Sequence, residues 1–310
     1  MATTQRPLAV SDLDALVALA AARRQATGGS PLADDRQWLS DQYLGNVMSV
    51  GVFLPGGRLA AAGGIAPSEA RQVGAARQAS EARQAGQSPT WRAALIVHPT
   101  APESVAARAG RWMSDSFASL ASPVTVLVRS ESLTDDEVGF WSRLGAVLEF
   151  EEIVMSCDVI GMSPEPRWPA DVRLLGWSAA NAHQFYEAYN GAFAGRPGFP
   201  GWSEPEWVSR MAGGDDFEAP ASVCALVEGE PAAFVVCDRS WISQLGVVPR
   251  RRHVGLGRLL VEEGLRRLRD GGAEAVGLMV NTNNPEARRL YERLGFGQVG
   301  RRGRLVLHRE

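Results

Sequence analysis

Apolar and polar residues follow two different periods along this chain of 310 residues. Leucines spaced by three, four and five positions between 256 and 268 predict an amphipathic helix, and the apolar run 241–248 directly before it predicts a strand. Further helices are predicted over 13–21 and 35–43, and a hairpin over 47–65 that turns at Pro55–Gly57. Strands and helices alternate throughout, so the predicted fold class is mixed α/β.

The loop between strand 241–248 and its helix contains the most informative chemistry. Gly255 and Gly257 lack Cβ atoms, so the backbone can turn tightly and approach a ligand there. The first amides of a helix have no intrahelical partner and favour anions. Arginines surround these glycines at 250, 251, 252 and 258. The sequence therefore predicts a phosphate site, and the number of arginines suits a diphosphate.

The spacing excludes the two commonest nucleotide loops. A dinucleotide fingerprint requires a third glycine where this chain has Leu260, and a P-loop requires a lysine, which the chain lacks altogether. The pattern that fits is Arg252-x-x-Gly255-x-Gly257, followed by a second motif from Asn284 through Tyr291 to Phe296. In these two motifs the chain resembles the GNAT superfamily of acyl-CoA-dependent N-acetyltransferases, most strongly over 220–296.

The resemblance implies acetyl-CoA as the acyl donor and a primary amine as the acceptor. It also implies that the strand before the loop splays from its neighbour, so that pantetheine lies in the gap. Tyr291 matches the residue expected to protonate the leaving thiolate. The implied CoA-binding positions are Leu245, Val247, Val248, Arg252, His253, Val254, Gly255, Leu256, Gly257, Arg258, Asn284 and Tyr291.

An internal repeat predicts the domain organisation. The segment Leu95–Pro99 aligns with Leu245–Pro249, and 140–145 aligns with 290–295, both at an offset of 150. At that offset Pro102, Val105 and Ala107 replace Arg252, Gly255 and Gly257, while Trp141 replaces Tyr291. We therefore predict two tandem GNAT folds, each a mixed, mostly antiparallel sheet flanked by helices, with the splayed pair in the second copy. The predicted parts are a structural copy without a CoA site over 1–162, a linker over 163–170 and a catalytic domain over 171–310.

Composition narrows the functional classes. A net charge of −3 argues against a nucleic-acid-binding surface. The three cysteines fit buried reduced thiols, and the scattered histidines form no metal motif, so no metal is expected. No apolar run approaches the length of a membrane span. We expect a cytoplasmic protein that is a monomer with an internal pseudo-dimer or a homodimer. Residues 67–90 form a low-complexity insertion to which we attach no function.

The acceptor and the general base remain open from sequence. Aromatic and acidic residues between 186 and 218 suit a cationic amine, although such aromatics are usually core. The strand before the loop carries no carboxylate, so a water relay through Ser243 or main-chain carbonyls is the preferred route for proton removal and Asp238 is the alternative base. Some tandem GNAT proteins are mycothiol synthases, but their strand carboxylate has no counterpart at Trp241. A non-catalytic acyl-CoA sensor is the alternative from another class.

Overall fold

A computed structural model describes residues 3–44, 48–68, 89–160, 166–196 and 199–310. The chain forms two compact units: unit 1 contains residues 1–154 and 299–310, and unit 2 contains residues 155–298. This division differs from the predicted domains in two ways. The first segment of unit 1 ends at residue 154 rather than 162, and unit 1 also contains the last strand of the chain. Most of the predicted insertion over 67–90, and part of the predicted linker, lie outside the described residues.

Unit 1 contains a sheet with helices on both faces. Its strands, in sheet order, are β1 (Thr4–Arg6), β2 (Met48–Phe53), β3 (Leu59–Pro67), β4 (Thr90–Val97), β5 (Val124–Ser130), β12 (Gly297–Arg309) and β6 (Val147–Asp158). Its helices are α1 (Leu13–Thr27), α2 (Arg36–Tyr43), α3 (Glu103–Ala118) and α4 (Asp135–Arg143). All pairs for which a register is defined are antiparallel except β4 with β5.

The two faces of this sheet bury different apolar clusters. Successive residues of a strand point to opposite faces, and Ala61 and Ala62 of β3 accordingly join different clusters. Helices α1 and α2 pack around Leu16, Leu39 and Tyr43 on one face. Helices α3 and α4 pack around Met113 and Trp141 on the other. Unit 1 is thus a three-layered helix–sheet–helix arrangement.

Unit 2 repeats the arrangement. Its strands, in sheet order, are β11 (Ala275–Asn281), β10 (Trp241–Val247), β9 (Glu230–Asp238), β8 (Val223–Val227) and β7 (Val172–Gly176). Its helices are α5 (Ala182–Phe193), α6 (Glu204–Ala212), α7 (Leu256–Asp270) and α8 (Pro285–Arg293). Only β10 and β11 form a parallel pair; the other three neighbours are antiparallel.

The sheets confirm the predicted fold class of mixed, mostly antiparallel α/β structure. The predicted hairpin at Pro55–Gly57 is present, with Gly56 and Gly57 both at positive φ and β2 antiparallel to β3. The repeat offset is visible in helices α4 and α8, which each have nine residues and begin exactly one repeat apart, at Asp135 and Pro285. Their N-caps also correspond: the Thr134 hydroxyl and the Asn284 amide oxygen each accept a hydrogen bond from the amide three residues on.

Candidate active site

Strand β10 separates from β11 within unit 2. Trp241 and Ile242 pair with Gly277 and Leu278, and no pairing between the two strands follows. On its other edge β10 stays paired with β9 as far as Val247, with a β-bulge at Ser243. A bulge bends its strand and increases the local twist. The carboxyl-terminal half of β10 therefore has a free edge along a gap, as the predicted splay requires.

The loop after β10 presents a continuous row of free backbone donors. A 3₁₀ turn over Pro249–Arg251 leads to His253 at φ 63° and Gly255 at φ 92°, and α7 then begins at Leu256. Among the described residues, no acceptor pairs with any of the six amides from His253 to Arg258. The first bonded amide is that of Leu259, which donates to the Gly255 carbonyl. Six consecutive free N–H groups at a helix N-terminus form an anion site.

The two glycines of this loop have different structural roles. Gly255 sits in the left-handed region, and a Cβ built on it meets no atom within 4 Å. A side chain at 255 would strain the backbone and occupy the open space in front of the amides. A Cβ at Gly257 would lie 3.6 Å from Val247 and 3.8 Å from Leu290, which is ordinary contact. The backbone conformation at residue 257 therefore does not require glycine.

The loop arginines do not all face the free amides. The Arg252 guanidinium donates from Nε to the Val247 carbonyl at 3.1 Å and from Nη2 to the Ala192 carbonyl at 3.0 Å. It therefore links the ends of β10 and α5. Arg251 pairs with Glu228, and Arg258 pairs with Glu262 at 2.8 Å. Arg250 is exposed and has no ion-pair partner in the described part of the chain. Three of the four arginines expected at the diphosphate thus contact other groups of the protein. The groups left to bind a diphosphate are the backbone amides and Arg250.

Tyr291 lies on the inner side of α8. It is 8% exposed, and its ring packs edge-on against Phe296 with centroids 5.8 Å apart. Its hydroxyl makes no hydrogen bond with a described residue. Burial raises the pKa of Tyr291 to about 12, and the nearby Arg196 cation opposes that rise. The phenol is therefore protonated at neutral pH, as a general acid must be.

Comparison with known proteins identifies this arrangement. Residues 180–296, which include the splayed strand, the loop, α7 and α8, match the model of the Acetyltransferase (GNAT) family.

Residues 180–296 therefore form a GNAT acetyltransferase domain.

Two curated relatives show the extent of the likeness. Mycothiol acetyltransferase of Nocardiopsis dassonvillei is 43% identical over 76 residues, which cover 24% of this chain and 21% of the relative. Mycothiol acetyltransferase of Gordonia bronchialis is 30% identical over 138 residues, which cover 41% of this chain and 44% of the relative. The matched segments thus span less than half of either relative.

Solved structures extend the likeness in fold to the whole chain. A GCN5-related N-acetyltransferase from Sphaerobacter thermophilus superposes with a TM-score of 0.68 at 20% identity, covering 99% of this chain and 95% of that one. A tandem GNAT protein from the clavulanic acid biosynthesis pathway gives a TM-score of 0.57 at 17% identity, covering 99% and 98%. At these identities the likeness concerns the fold alone, and the fold is that of a tandem GNAT protein.

The remaining predicted GNAT positions have local structural roles. Leu256 and Val248 are buried, Val254 is 67% exposed, and Leu245 lies on the free half of β10. His253 Nδ1 lies 3.1 Å from Glu286 at the start of α8. The Asn284 side chain caps α8 rather than pointing to open space. For Leu256, Val254 and His253, the group available to a GNAT ligand is therefore the backbone amide.

The candidate bases lie at the start of β10. Ser243 donates its hydroxyl proton to the Val236 carbonyl at 3.0 Å. Asp238 ends β9, and Arg239 at φ 39° turns the chain into β10, as the sequence predicted for a turn. Burial raises the pKa of Asp238, and the nearby Ser243 side chain opposes the rise. Ser243 and Asp238 are thus neighbours, so the two candidates for the general base belong to the same polar site.

The aromatic residues assigned to the acceptor side form a core instead. Tyr189 stacks on Trp207 with centroids 5.0 Å apart, and Phe185 and Trp207 are fully buried. Tyr186 donates its hydroxyl proton to the Trp202 carbonyl at 2.9 Å. Of the predicted acidic residues, Asp216 pairs with Arg239. These contacts favour the core interpretation, because the rings contact one another.

Arg196 is a residue that sequence reasoning missed. Its guanidinium carbon lies 4.4 Å from the centre of the Phe193 ring, which is a cation–π contact. It has no ion-pair partner among the described residues. Burial and then the Arg252 cation lower the pKa of Arg196, while the Tyr291 phenol raises it. A single arginine in a loop rich in glycine and proline belongs to no periodic pattern, so hydrophobic periodicity provides no signal for it.

The remaining predictions concern metal sites, membrane spans and the cysteines. Within the described residues, no group of three or more His, Cys, Asp or Glu side chains could hold a metal ion. Among the described helices, none has both the length and the apolar character needed to cross a membrane. Cys157, Cys224 and Cys237 are buried free thiols, as predicted.

Proposed function

We propose that unit 2 is an N-acetyltransferase that moves an acetyl group from acetyl-CoA to a primary amine of a small molecule. The observation that carries this proposal is the row of six free amides from His253 to Arg258, which follows the 3₁₀ turn after splayed β10. Amides and a helix N-terminus together stabilise a diphosphate through hydrogen bonds and the helix dipole. The free edge of β10 gives pantetheine a strand-like partner.

The reaction consistent with this site is direct transfer. The neutral amine nitrogen attacks the thioester carbonyl carbon, and the C–N bond forms as the carbonyl oxygen gains negative charge. Main-chain N–H groups on the free half of β10, around Leu245 and Val247, are the proposed donors to that oxygen, because the Val248 amide already donates to the Ala232 carbonyl. The C–S bond then breaks, and the Tyr291 hydroxyl gives its proton to the departing thiolate. Arg196 stabilises the tyrosinate that remains.

Proton removal from the acceptor is assigned to the Ser243–Asp238 site. A primary ammonium has a pKa of about 10 and must lose a proton before it attacks. Asp238 is partly buried and its raised pKa brings it closer to the range of a useful base. In this proposal a water bound to the Ser243 hydroxyl relays the proton to Asp238. The Ser243 relay remains the preferred route because Ser243 is itself on β10.

A second candidate within the same class is a mycothiol-synthase-like acetyltransferase. The observation that favours it is the shared name of the two relatives described above. In place of the strand carboxylate that such enzymes carry, this chain has Trp241, whose ring fills the space beside Gly277. An acceptor of this type would therefore require the Ser243–Asp238 site as its base. For the protein as a whole, we propose a cytoplasmic location, and no diphosphate site in unit 1.

Calorimetry and a thiol-release assay test the proposal together. We expect acetyl-CoA to bind one site per chain, and we expect CoA release to depend on at least one member of a panel of small primary amines. Tight binding without turnover on any amine would instead indicate an acyl-CoA sensor. Absence of heat with acetyl-CoA would contradict both functions. Desacetylmycothiol in the panel separates the second candidate from other small amines.

A further inference from the structure

The last strand of the chain is basic, and its neighbour in unit 1 is acidic. Strand β12 contains four arginines and no acidic residue. The part of β6 that lies in unit 1, residues 147–154, contains three glutamates and no basic residue. The two strands are adjacent in the sheet, and β12 pairs on its other edge with β5. The strand that ends the second copy of the repeat therefore lies beside the strand that ends the first copy, with opposite charge.

Ion pairs join the two strands at equivalent positions of the repeat. Arg301 Nη1 lies 2.9 Å from Glu151 Oε1, and Arg302 Nη2 lies 2.7 Å from Glu152 Oε2. In both pairs the partners are 150 positions apart in the sequence, which is the repeat offset. The strands thus meet where each copy brings the same position of the repeat to the contact.

Two identical copies would not form these pairs. If residues 151 and 301 carried the same ionised side chain, the contact would place two carboxylates or two guanidinium groups together. Like charges on adjacent strands destabilise strand pairing. The two copies have instead diverged to opposite charges at both positions. All four side chains are at most 27% exposed, so salt and water screen these charges less than those of a fully exposed pair.

The other ion pairs of these arginines follow the same division between the copies. Arg301 also pairs with Asp135 at 2.5 Å, and Arg302 lies 3.4 Å from Glu131. A further arginine of β12, Arg304, lies 3.7 Å from Glu149 of β6. All of these carboxylates belong to the first copy, and all of the arginines belong to the second. Within the described residues, the arginines at 301, 302 and 304 form no ion pair with an acid of their own copy.

We propose that these charges select the neighbour of β12, so that the second copy pairs with the first copy of the same chain and not with the second copy of another chain. Strand β12 beside β12 of another chain would bring arginine to arginine, and β6 beside another β6 would bring glutamate to glutamate. Charge complementarity contributes more to the choice of partner than to affinity. Because both strands belong to one chain, their effective concentration favours pairing within it. We therefore expect a monomer, whether or not unit 2 binds acetyl-CoA.

Reversing the charge of one strand at a time tests the proposal. Glu151→Arg/Glu152→Arg makes both strands basic, and Arg301→Glu/Arg302→Glu makes both strands acidic. We expect amide hydrogen exchange of peptides from 299–310 to be at least about tenfold faster in either variant, because like charges on adjacent strands weaken their pairing. The variant with all four substitutions should exchange more slowly than the all-acidic variant, although it carries two more changes, because opposite charges face each other again.

The matched control is Arg58→Glu/Arg111→Glu. These two arginines are exposed, lie outside the strand pair and have no ion-pair partner in the described part of the chain. The control changes the net charge as much as the all-acidic variant does. We expect it to leave the exchange of peptides from 299–310 at the wild-type rate.

Light scattering of the full chains measures the choice of partner directly. The wild type should have the mass of one chain. When the all-basic and all-acidic variants are coexpressed, each can offer β12 to a β6 of opposite charge in the other chain. We expect a 1:1 complex with twice that mass, which neither variant forms alone. Unchanged exchange in both double variants, no slowing in the fourfold variant, a dimeric wild type or the absence of the 1:1 complex would each overturn the proposal.

Discussion

The strand gap of unit 1 and the strand gap of unit 2 have the same architecture and different contents. In both, a parallel pair of strands separates after a few residues: β4 from β5 after Ala93, and β10 from β11 after Ile242. The gap of unit 1 contains the buried Arg23–Glu137 pair. At the repeat offset of 150, Glu137 corresponds to Ala287, which cannot form such a pair. A gap is therefore a property of this fold, and its chemistry depends on a few side chains.

The loops beyond the two gaps differ more strongly. Helix α7 begins at Leu256 after the left-handed Gly255, whereas α3 begins at Glu103, directly after Pro102 at φ −56°. Residue 106 corresponds to 256, so α3 starts three residues earlier in the repeat. The Val105 amide donates to the Pro102 carbonyl, and the Val105 side chain is buried in the core. The earlier helix start thus replaces the row of free amides, which supports a diphosphate site in unit 2 only.

The largest effect on ligand binding is expected from giving unit 2 the loop of unit 1. The variant Gly255→Val/Gly257→Ala introduces the residues found at 105 and 107. Valine is strained at φ 92°, and its side chain would occupy the open space in front of the amides. We expect a loss of acetyl-CoA affinity of at least about 100-fold, measured by calorimetry.

The control for this graft is Gly272→Val at the other end of α7. Gly272 has φ 98° and equally open surroundings, so the backbone strain is matched while the proposed ligand site is untouched. Its acetyl-CoA affinity should remain that of the wild type. Equal losses in both variants would mean that strain in α7, and not the loss of the anion site, explains the effect.

The next effect concerns the ion pair in the gap of unit 1. Arg23→Met leaves the Glu137 carboxylate buried without its cation, and we expect a loss of about 3–5 kcal/mol in the stability of unit 1 at neutral pH. Arg24→Met is the matched control, because Arg24 is the next residue of α1 and its pair with Asp34 is partly exposed. We expect that control to cost less than about 1 kcal/mol. Hydrogen exchange of peptides from β5 and α4 measures both losses.

The pH dependence of unit 1 follows from the same carboxylate. Burial, the larger cause, raises the pKa of Glu137, while Arg23 and Ser130 oppose the rise. A carboxyl whose folded pKa exceeds its unfolded value binds protons more readily in the folded state. Its contribution to stability is therefore greatest below the unfolded pKa of 4.5 and is lost as the pH rises through the folded value. Arg23→Met should steepen this loss, whereas Glu137→Gln should remove it. A flat profile in Arg23→Met would contradict the assignment.

The sequence predicted the loop and helices of the second copy better than the strand gap of the first copy, for a physical reason. The loop, helix α7 and Tyr291 are local features, in which glycine positions, helix period and N-caps act within a few residues. Arg23 and Glu137 form an ion pair although they are 114 positions apart in the sequence. Neither residue interrupts the hydrophobic pattern of its helix, so the sequence does not indicate that they pair. The final strand is a similar case: its register with β5, such as Leu305 with Val128, places it in unit 1, although its repeat position belongs to the second copy. Pairing across such distances depends on the tertiary structure.

A smaller effect is expected at Tyr291, where unit 1 has the buried Trp141. Tyr291→Phe keeps the ring against Phe296 and removes only the proton donor. We expect kcat to fall about 100-fold, within the range of general acid catalysis, with little change in acetyl-CoA affinity. Since the pKa of Tyr291 is about 12, the wild-type rate should show no loss from ionisation of this group below about pH 11. An unchanged kcat would assign protonation of the thiolate to another donor.

The smallest effect separates the two candidate bases. At the repeat offset Ser243 corresponds to Ala93, so Ser243→Ala gives β10 the residue of unit 1. If Ser243 positions the relaying water, kcat/KM should fall about tenfold, and the ionisation of Asp238 should move to higher pH because Ser243 opposes the rise in its pKa. Asp238→Asn should have the same magnitude if Asp238 is the final base, but it should also remove the ionisation with a raised pKa from the profile. The double variant should then be no worse than Asp238→Asn, because residues of one relay act as a unit. Unchanged profiles in both single variants would exclude both residues and leave the main-chain carbonyls of β10 to orient the water.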